Sequence, residues 1–436
     1  MGKLYIGKLM KRTPLDRWIL QKIGASQPTL SREELESWQL RMLNETLSQV
    51  RAKSAFYRKH FAGLPQQLKN LADLAYFPFT TADDLRRNPL QFVCVSQDAI
   101  QRVVTLQTSG TTGDPKRVYF TKEDQALTID FFGVGMSTLV DAGERVMICL
   151  PVEKPGSVGD LLRIGLQTIG AVPIPYGPVK DAQDALETIQ SQGVDSIVGS
   201  PTQLLGLARR WHKAWRAPRT VLLSTDYVPD AIKRVLEDVW GCEVYNHYGT
   251  TEMGLGGGVE CAAHQSYHLR EADLYFEIID PVTGKVLPDG QYGEVVLSTL
   301  TRLGMPLIRY RMGDRSRFVP EQCPCGSSLR LMETVNGRFE NEIHLDEMSL
   351  SLRELDEALF PIPGLLDFKA RVEGQGGKPM LILEVVMLSA CEARLEIEKA
   401  LAVLPAMEKL TVRMDCYTQA EYMPDLRKRV MLDGRE

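Results

Sequence analysis

From about residue 100 onward, short apolar runs alternate with amphipathic stretches, and this alternation limits the chain to a few folds. The runs are RVMICLPV (145–152), AVPIPYG (171–177), DSIVGSP (195–201), TVLLSTD (220–226) and CEVYNHYG (242–249). Between them lie helix-like segments such as DAQDALETIQSQ (181–192) and DAIKRVLEDVW (230–240). Strands of this kind, linked by helices, predict a mainly parallel sheet covered on both faces. Residues 273–300 read differently. DLYFEIID and GEVVLSTL flank a Gly/Pro/Asp-rich turn, which predicts an antiparallel segment. Near the N-terminus Ser31 with Glu34 fits a capping box. Leu35, Trp38, Met42, Leu43, Leu47 and Val50 follow at helical spacing, and FYRKHF (56–61) continues the pattern. Past Gly337-Arg338 the text changes again. A helix at 351–360 opens on Ser351 and Glu354, two strands flank a turn at 375–379, and a helix (392–404) and the strand KLTVRMDCY follow. The 436 residues therefore predict an α/β fold with a large N-terminal domain, 1–336, of mainly parallel sheets with helices plus an antiparallel β segment. A small α+β C-terminal domain, 337–436, completes it.

Composition narrows the function class. With 51 Lys+Arg and 56 Asp+Glu the net charge is −5, which argues against a general nucleic-acid binder. No run of 18 apolar residues predicts a membrane span. The start, MGKLYIGKLMKR, has no apolar leader core, and Ile6 does not fit a myristoylation signal, so a cytoplasmic protein is expected. Eight cysteines in a chain of this length do not make a disulfide scaffold. Cys261, His264, His268, Cys323 and Cys325 form a cluster of thiol and imidazole ligands suited to tetrahedral Zn²⁺, although the C-P-C-G spacing is tighter than usual. Cys94, Cys149, Cys242, Cys391 and Cys416 lie in or beside apolar runs and read as core thiols.

The chemistry-bearing stretch is LQTSGTTGDPKRVYFT (106–121). Thr108, Ser109, Thr111 and Thr112 surround Gly110 and Gly113, and Lys116 follows. Hydroxyls donate hydrogen bonds, glycines let backbone N–H groups approach an anion, and lysine adds positive charge, so the loop reads as a phosphate cradle. It is not a Walker-type loop, because G-x-x-x-x-G-K-[ST] is absent here.

TSGTTGDPK resembles the ATP-phosphate loop of the adenylate-forming superfamily, which includes acyl-CoA synthetases, adenylation domains and luciferases. YNHYGTTEMG (245–254) resembles its Y-G-x-T-E motif. RYRMGDRSR (309–317) resembles Y-x-T-G-D with Met312 for Thr, and GRFEN (337–341) resembles the G-R-x-D hinge with Glu340 for Asp. The chain is most similar to the phenylacetate–CoA ligase branch, whose FYR, P-F-T-x-x-D-D-L-like, E-C…H and C-x-C-G elements are all present. The resemblance implies ATP-dependent adenylation of an aryl or small acyl carboxylic acid, followed by transfer to coenzyme A. It implies that Thr108 to Lys116 hold the phosphates, that Thr251 touches the α-phosphate and that Glu252 holds Mg²⁺. Tyr248, Gly249 and Thr250 line the nucleotide, Asp314 accepts the ribose hydroxyls, and Asp226 stands in the adenine loop. Lys116, Thr251, Glu252 and Arg338 are the implied catalytic set. The acid pocket is expected near Tyr176, Gly199, Ser200, Pro201 and Tyr248. The branch also maps the structural zinc to Cys261, His268, Cys323 and Cys325, leaving out His264. The implied partners are small molecules, with no nucleic acid or membrane. The oligomeric state is left open, a homodimer being one option.

Two departures fall in the last 100 residues. The family lysine of G-K-x-x-R aligns with Leu426 when Arg429 takes the arginine position, with Lys428 two residues away. The glycine that approaches the thiol channel falls at or near Glu347. Alternatives therefore stand beside the CoA ligase: an adenylate-former with another acceptor, or a nucleotide-binding homologue impaired in turnover.

Overall fold

The computed structural model describes residues 11–25, 27–106, 115–374, 378–389 and 393–435. They gather into two compact units. The first comprises Met1–Asp141, Ile164–Ile169 and Asn246–Thr334; the second comprises Ala142–Arg163, Gly170–Tyr245 and Val335–Glu436. The α/β architecture is the one the alternation implies.

In the first unit the helix Arg32–Lys53 is fastened by side chains that reach the carbonyls of distant turns. Trp38 Nε1 donates to Ala272 O (2.9 Å), Gln39 Nε2 to Glu271 O (2.9 Å) and Thr46 Oγ1 to Leu300 O (3.0 Å). The helix does not run on into FYRKHF as the spacing predicts. Ser54 is extended (φ −87°, ψ 121°), ends the first helix, and caps a second, Ala55–His60, by accepting the Tyr57 N–H at 3.2 Å. A serine hydroxyl competes well for a free N–H at such a boundary. The break turns Tyr57 into the core, where its hydroxyl accepts the Ile308 N–H (2.9 Å).

Strands Leu274–Ile279, Gly293–Thr299 and Tyr310–Ser316 form an antiparallel sheet in that order, confirming the antiparallel segment. Inside it Arg309 grips Glu277 through two hydrogen bonds of 3.0 and 2.9 Å, both side chains buried. Strands Ile100–Leu106 and Lys116–Thr121 pair antiparallel and deliver the chain into helix Lys122–Met136. Asp124 completes the capping box of that helix and also accepts the Leu303 and Gly304 N–H groups at 2.8 and 3.0 Å.

The second unit holds the parallel strands. Thr220–Leu223, Ser196–Gly199, Arg145–Ile148 and Val172–Pro175 are neighbours in that order. Helix Ala182–Gln192 links Val172–Pro175 to Ser196–Gly199, Pro201–Ala208 links that strand to Thr220–Leu223, and Asp230–Trp240 follows. Residues Val335–Glu436 add a four-stranded sheet in the order Thr411–Thr418, Met380–Met387, Leu365–Glu373, Met431–Gly434, with helices Leu352–Leu359 and Ala393–Ala402. One continuous buried cluster spans the unit and includes Leu204, Leu236, Leu355, Phe360 and Leu383. Gly337 sits at φ +87°, a left-handed backbone that glycine adopts without strain. Asp346 (φ +56°) and Glu347 form the exposed tip between strands Glu342–Leu345 and Met348–Ser351.

Gly304 leaves no room for a side chain, since a Cβ there would lie 2.6 Å from Asp124 Oδ2 and 3.1 Å from Thr121 Cγ2. Asp124 is held by its own helix cap and cannot retreat. Gly304→Ala is therefore expected to lower stability by about 1–3 kcal/mol, read as a shifted urea-unfolding midpoint.

Candidate functional site

Strand Glu243–Tyr248 ends in the turn that carries the Y-G-x-T-E-like residues. Gly249 is required by close approach, because a Cβ would fall 2.1 Å from Leu255 O. The turn closes through Leu255 N–H to Thr250 O (2.8 Å) and Gly254 N–H to Thr251 O (3.1 Å). This folds Glu252 inward, where it is buried and ion-paired with Lys116 from strand Lys116–Thr121. Tyr310 joins the pair: Lys116 Nζ donates to its hydroxyl at 3.2 Å, and the hydroxyl donates to Glu252 Oε1 at 3.4 Å. Buried Arg302 supports the group from behind by donating to the carbonyls of Glu252 (2.6 Å) and Tyr119 (3.2 Å). Four residues beyond Tyr310, Asp314 Oδ2 accepts the Tyr248 hydroxyl at 2.8 Å. Thr250 Oγ1 is buried with no hydrogen-bond partner among the described residues. An orphaned hydroxyl beside a buried acid and a lysine suits a site awaiting a polar ligand.

Lys116, Tyr248, Gly249, Thr250, Thr251, Glu252 and Asp314 thus lie in one unit, linked by these contacts. Thr108, Ser109, Gly110, Thr111, Thr112 and Gly113 fall outside the described residues. Arg338 and Asp226 belong to the second unit. There Arg338 pairs with Glu340 (2.5 Å), and Asp226 accepts the N–H groups of Tyr227 (2.9 Å) and Arg429 (3.0 Å). In the same unit Ser200 is buried, and its Oγ has no partner among the described residues. Tyr176 donates its hydroxyl to Asp184 at 2.5 Å. Tyr310 and Arg302 were not anticipated as site residues. Tyr310 stands inside RYRMGDRSR and could have been found there, whereas no sequence signal marks Arg302.

His247, one residue before Tyr248, has its ring 6.3 and 6.0 Å from those of Phe131 and Phe132. Burial pushes its pKa down to about 4, so the imidazole is neutral at pH 7.

The first unit also carries a second cluster. Cys261, His268, Cys323 and Cys325 are all buried, and their ligand atoms lie within 4.8 Å of one another. Cys261 Sγ is 3.6 Å from Cys323 Sγ, too far for a disulfide, and Cys325 Sγ is 3.5 Å from His268 Nε2. Ligands at roughly 2.3 Å (S) and 2.0 Å (N) around a tetrahedral Zn²⁺ would stand about 3.8 and 3.5 Å apart, so the donor set fits that ion. His264 faces Glu260 instead, with Nδ1 3.8 Å from its carboxylate. Cys94, Cys149 and Cys242 are buried thiols, pushed up to about 11, 12 and 12 by burial. Cys416 is not a core thiol. It is exposed on Thr411–Thr418, an edge strand of its sheet. Cys391 lies outside the described residues.

The model of the AMP-binding enzyme family matches residues 38–301. The chain belongs to this family. A phenylacetate-coenzyme A ligase of Aromatoleum evansii is 30% identical, over 81% of this chain and 82% of that one. One from Thermus thermophilus is also 30% identical, over 77% of each. Among solved structures, 2-hydroxyisobutyryl-CoA ligase in the postadenylation state superposes with a TM-score of 0.78 at 20% identity, covering 93% of this chain and 91% of that one. An anthranilate CoA ligase superposes with a TM-score of 0.52 at 16% identity, over 74% and 64%. These two structures show the fold.

The lowered pKa of His247 has a consequence for stability. The folded state binds the proton less readily than the unfolded chain, so its stabilising contribution is present above pH 6.5 and is lost as pH falls towards 4. Wild type is expected to lose up to about 3 kcal/mol more than His247→Gln between pH 7 and pH 4, read from urea unfolding at each pH.

Proposed function

We propose that the chain is an AMP-forming acid–CoA ligase acting on an aryl or small acyl carboxylic acid. The observation that carries this reading is the buried Lys116–Glu252 pair bridged by Tyr310, with Tyr248 on Asp314 beside it. A carboxylate oxygen of the acid attacks the α-phosphorus of ATP and pyrophosphate leaves. The coenzyme A thiol then attacks the acyl carbon and AMP leaves. In the first step negative charge grows on the phosphates, and preorganised positive charge lowers that barrier. Lys116 would exchange its partner Glu252 for a phosphate. Glu252 would hold Mg²⁺, which supplies charge neutralisation when bound. Thr250 and Thr251 offer hydroxyls, and Asp314 offers an acceptor for the ribose. Thr108 to Gly113 would complete the cradle, Asp226 the adenine loop, and Arg338 the turn at the hinge near Gly337. That hinge would divide an ATP- and acid-binding domain, 1–336, from a mobile C-terminal domain, 337–436. Ser200, whose Oγ has no partner among the described residues, and Tyr176 belong to the region expected to receive the acid. The setting is a cytoplasmic one, and no helix among the described residues is long and apolar enough to cross a membrane.

A second reading, adenylation without CoA transfer, is favoured by Leu426 at the lysine position and by bulky Glu347 at the hairpin tip. Acid-dependent ATP–pyrophosphate exchange across aryl and short acyl acids tests the first step, and acyl-CoA detected by mass spectrometry tests the second. Exchange without acyl-CoA would select the second reading. Lys116→Met is expected to reduce exchange by about 100-fold, the magnitude typical of losing one charge-stabilising donor; an unchanged rate would remove Lys116 from the mechanism.

We further propose a structural Zn²⁺ at Cys261, His268, Cys323 and Cys325, closed to water because all four positions are protein ligands. Protein purified without chelator should contain about one equivalent of zinc, and Cys325→Ser should lose the metal and melt at lower temperature. Wild type carrying no metal would contradict this assignment.

A further inference from the structure

The basic run near the C-terminus, Leu426-Arg427-Lys428-Arg429, is not uniformly solvated. The Arg427 side chain is 90% exposed, whereas that of Arg429 is 15% exposed. Arg429 lies over the rings of Phe360 and Phe368, at 4.8 and 4.4 Å from their centroids, the two rings themselves being in contact at 5.4 Å. Its guanidinium pairs with Asp356, approaches Asp367 at 3.6 Å and donates to Phe368 O at 3.3 Å. Tyr422 holds Asp367 in place from the other side through a 2.8 Å hydrogen bond. Asn341 Nδ2 donates to the Arg429 carbonyl (3.2 Å), and the Arg429 N–H donates to Asp226 (3.0 Å).

The loop 224–229 is therefore gripped from its own unit's C-terminal part. A second grip comes from Glu357. Helix Asp230–Trp240 begins at Pro229, which offers no side-chain cap, and Glu357 supplies one by accepting the N–H groups of Asp230 (2.7 Å) and Ala231 (3.0 Å). The Tyr227 hydroxyl also donates to Glu357 at 3.4 Å. Immediately before the first grip, Thr225 is held at φ +80°, a left-handed conformation that a β-branched residue adopts only when its surroundings enforce it. Upstream, Arg210 donates to the carbonyls of Ala420 (2.6 Å) and Tyr422 (2.9 Å), and Gln203 donates to Pro424 O (2.8 Å). Residues 420–429 are thus laid along residues 203–231. Burial raises the pKa of Asp226, with the Arg429 N–H and charge working against it.

We infer that Arg429 is a positioning residue: it seats the C-terminal segment so that its backbone and Glu357 together fix the 224–229 loop in the conformation used for ATP. The step from loop to ATP rests on the function proposed above, in which that loop meets the adenine. The fastening itself does not. The C-terminal part then acts on nucleotide affinity through the loop, rather than through a lysine at position 426, which this chain lacks. Movement of 337–436 requires this latch to open.

The test uses full-length protein and two readouts. Hydrogen exchange at 224–231 reports the latch whether or not the protein turns over, and the KM for ATP in pyrophosphate exchange reports its effect on the reaction. Arg429→Met should speed amide exchange at 224–231 by at least tenfold and raise the KM for ATP by about 5–10-fold, with kcat changed less than twofold. Glu357→Gln should act in the same direction, and it keeps the proposal testable if Arg429→Met fails to fold. Arg427→Met removes an equal charge and should change neither readout. Unaltered protection at 224–231 in folded Arg429→Met or Glu357→Gln would overturn the latch. Lost protection with an unchanged KM would overturn the positioning role. Absence of any acid-dependent exchange in wild type would instead overturn the proposed function, leaving the hydrogen-exchange result to stand alone.

Discussion

Glu252 and Lys116 can be buried only because each neutralises the other. An isolated buried carboxylate costs several kcal/mol, and removing either partner leaves that cost unmet. The pair draws three chain segments to one place: the strand that follows the Ser/Thr/Gly-rich stretch, the turn that follows Tyr248, and the strand that carries Tyr310 and Asp314. Tyr310 spans the two charges, and Arg302 fixes the backbone of Glu252. Gly249 is part of the same requirement, since the turn reaches Leu255 O only without a side chain there. The site is thus assembled around a matched pair of buried charges.

The sequence was legible wherever local pattern and tertiary environment agree. The parallel strands Ser196–Gly199 and Thr220–Leu223 are fully buried, so they read as continuous apolar runs between helices of 3.6-residue period. The capping box of Ser351 with Glu354 is present as its spacing predicts. The break at Ser54 was not legible, because apolar residues recur at helical spacing on both sides of it. Only the tertiary pull on Tyr57 and the Ser54 hydroxyl distinguish two helices from one.

The site follows the same division. Motif residues could be named because their order along the chain is specific. Arg302 could not, since its role depends on carbonyls of residues 119 and 252 that only the fold brings near. Cys416 lies in an alternating run that reads as core, but its strand is the sheet's edge, and edge position is a property of topology rather than of local sequence. His268 was separable from His264 only through family resemblance. In the structure the reason is plain, since His264 (φ +50°) turns towards Glu260 while His268 lies on a strand facing the thiols.

The Cys/His cluster also bears on how this part of the chain folds. Cys261 and Cys323 are 62 residues apart, and the interval contains the whole three-stranded sheet with Tyr310 and Asp314. Bringing the ends of a loop of that length together costs conformational entropy on folding, which contacts formed in the native state must offset. Here the closure is made by thiols held 3.6 Å apart rather than by a covalent bond. Oxidising that pair to a disulfide would draw the sulfurs together by roughly 1.5 Å and take both out of the four-residue cluster. The segment that carries Asp314 is thus bracketed by two buried free thiols, and its closure depends on their staying reduced.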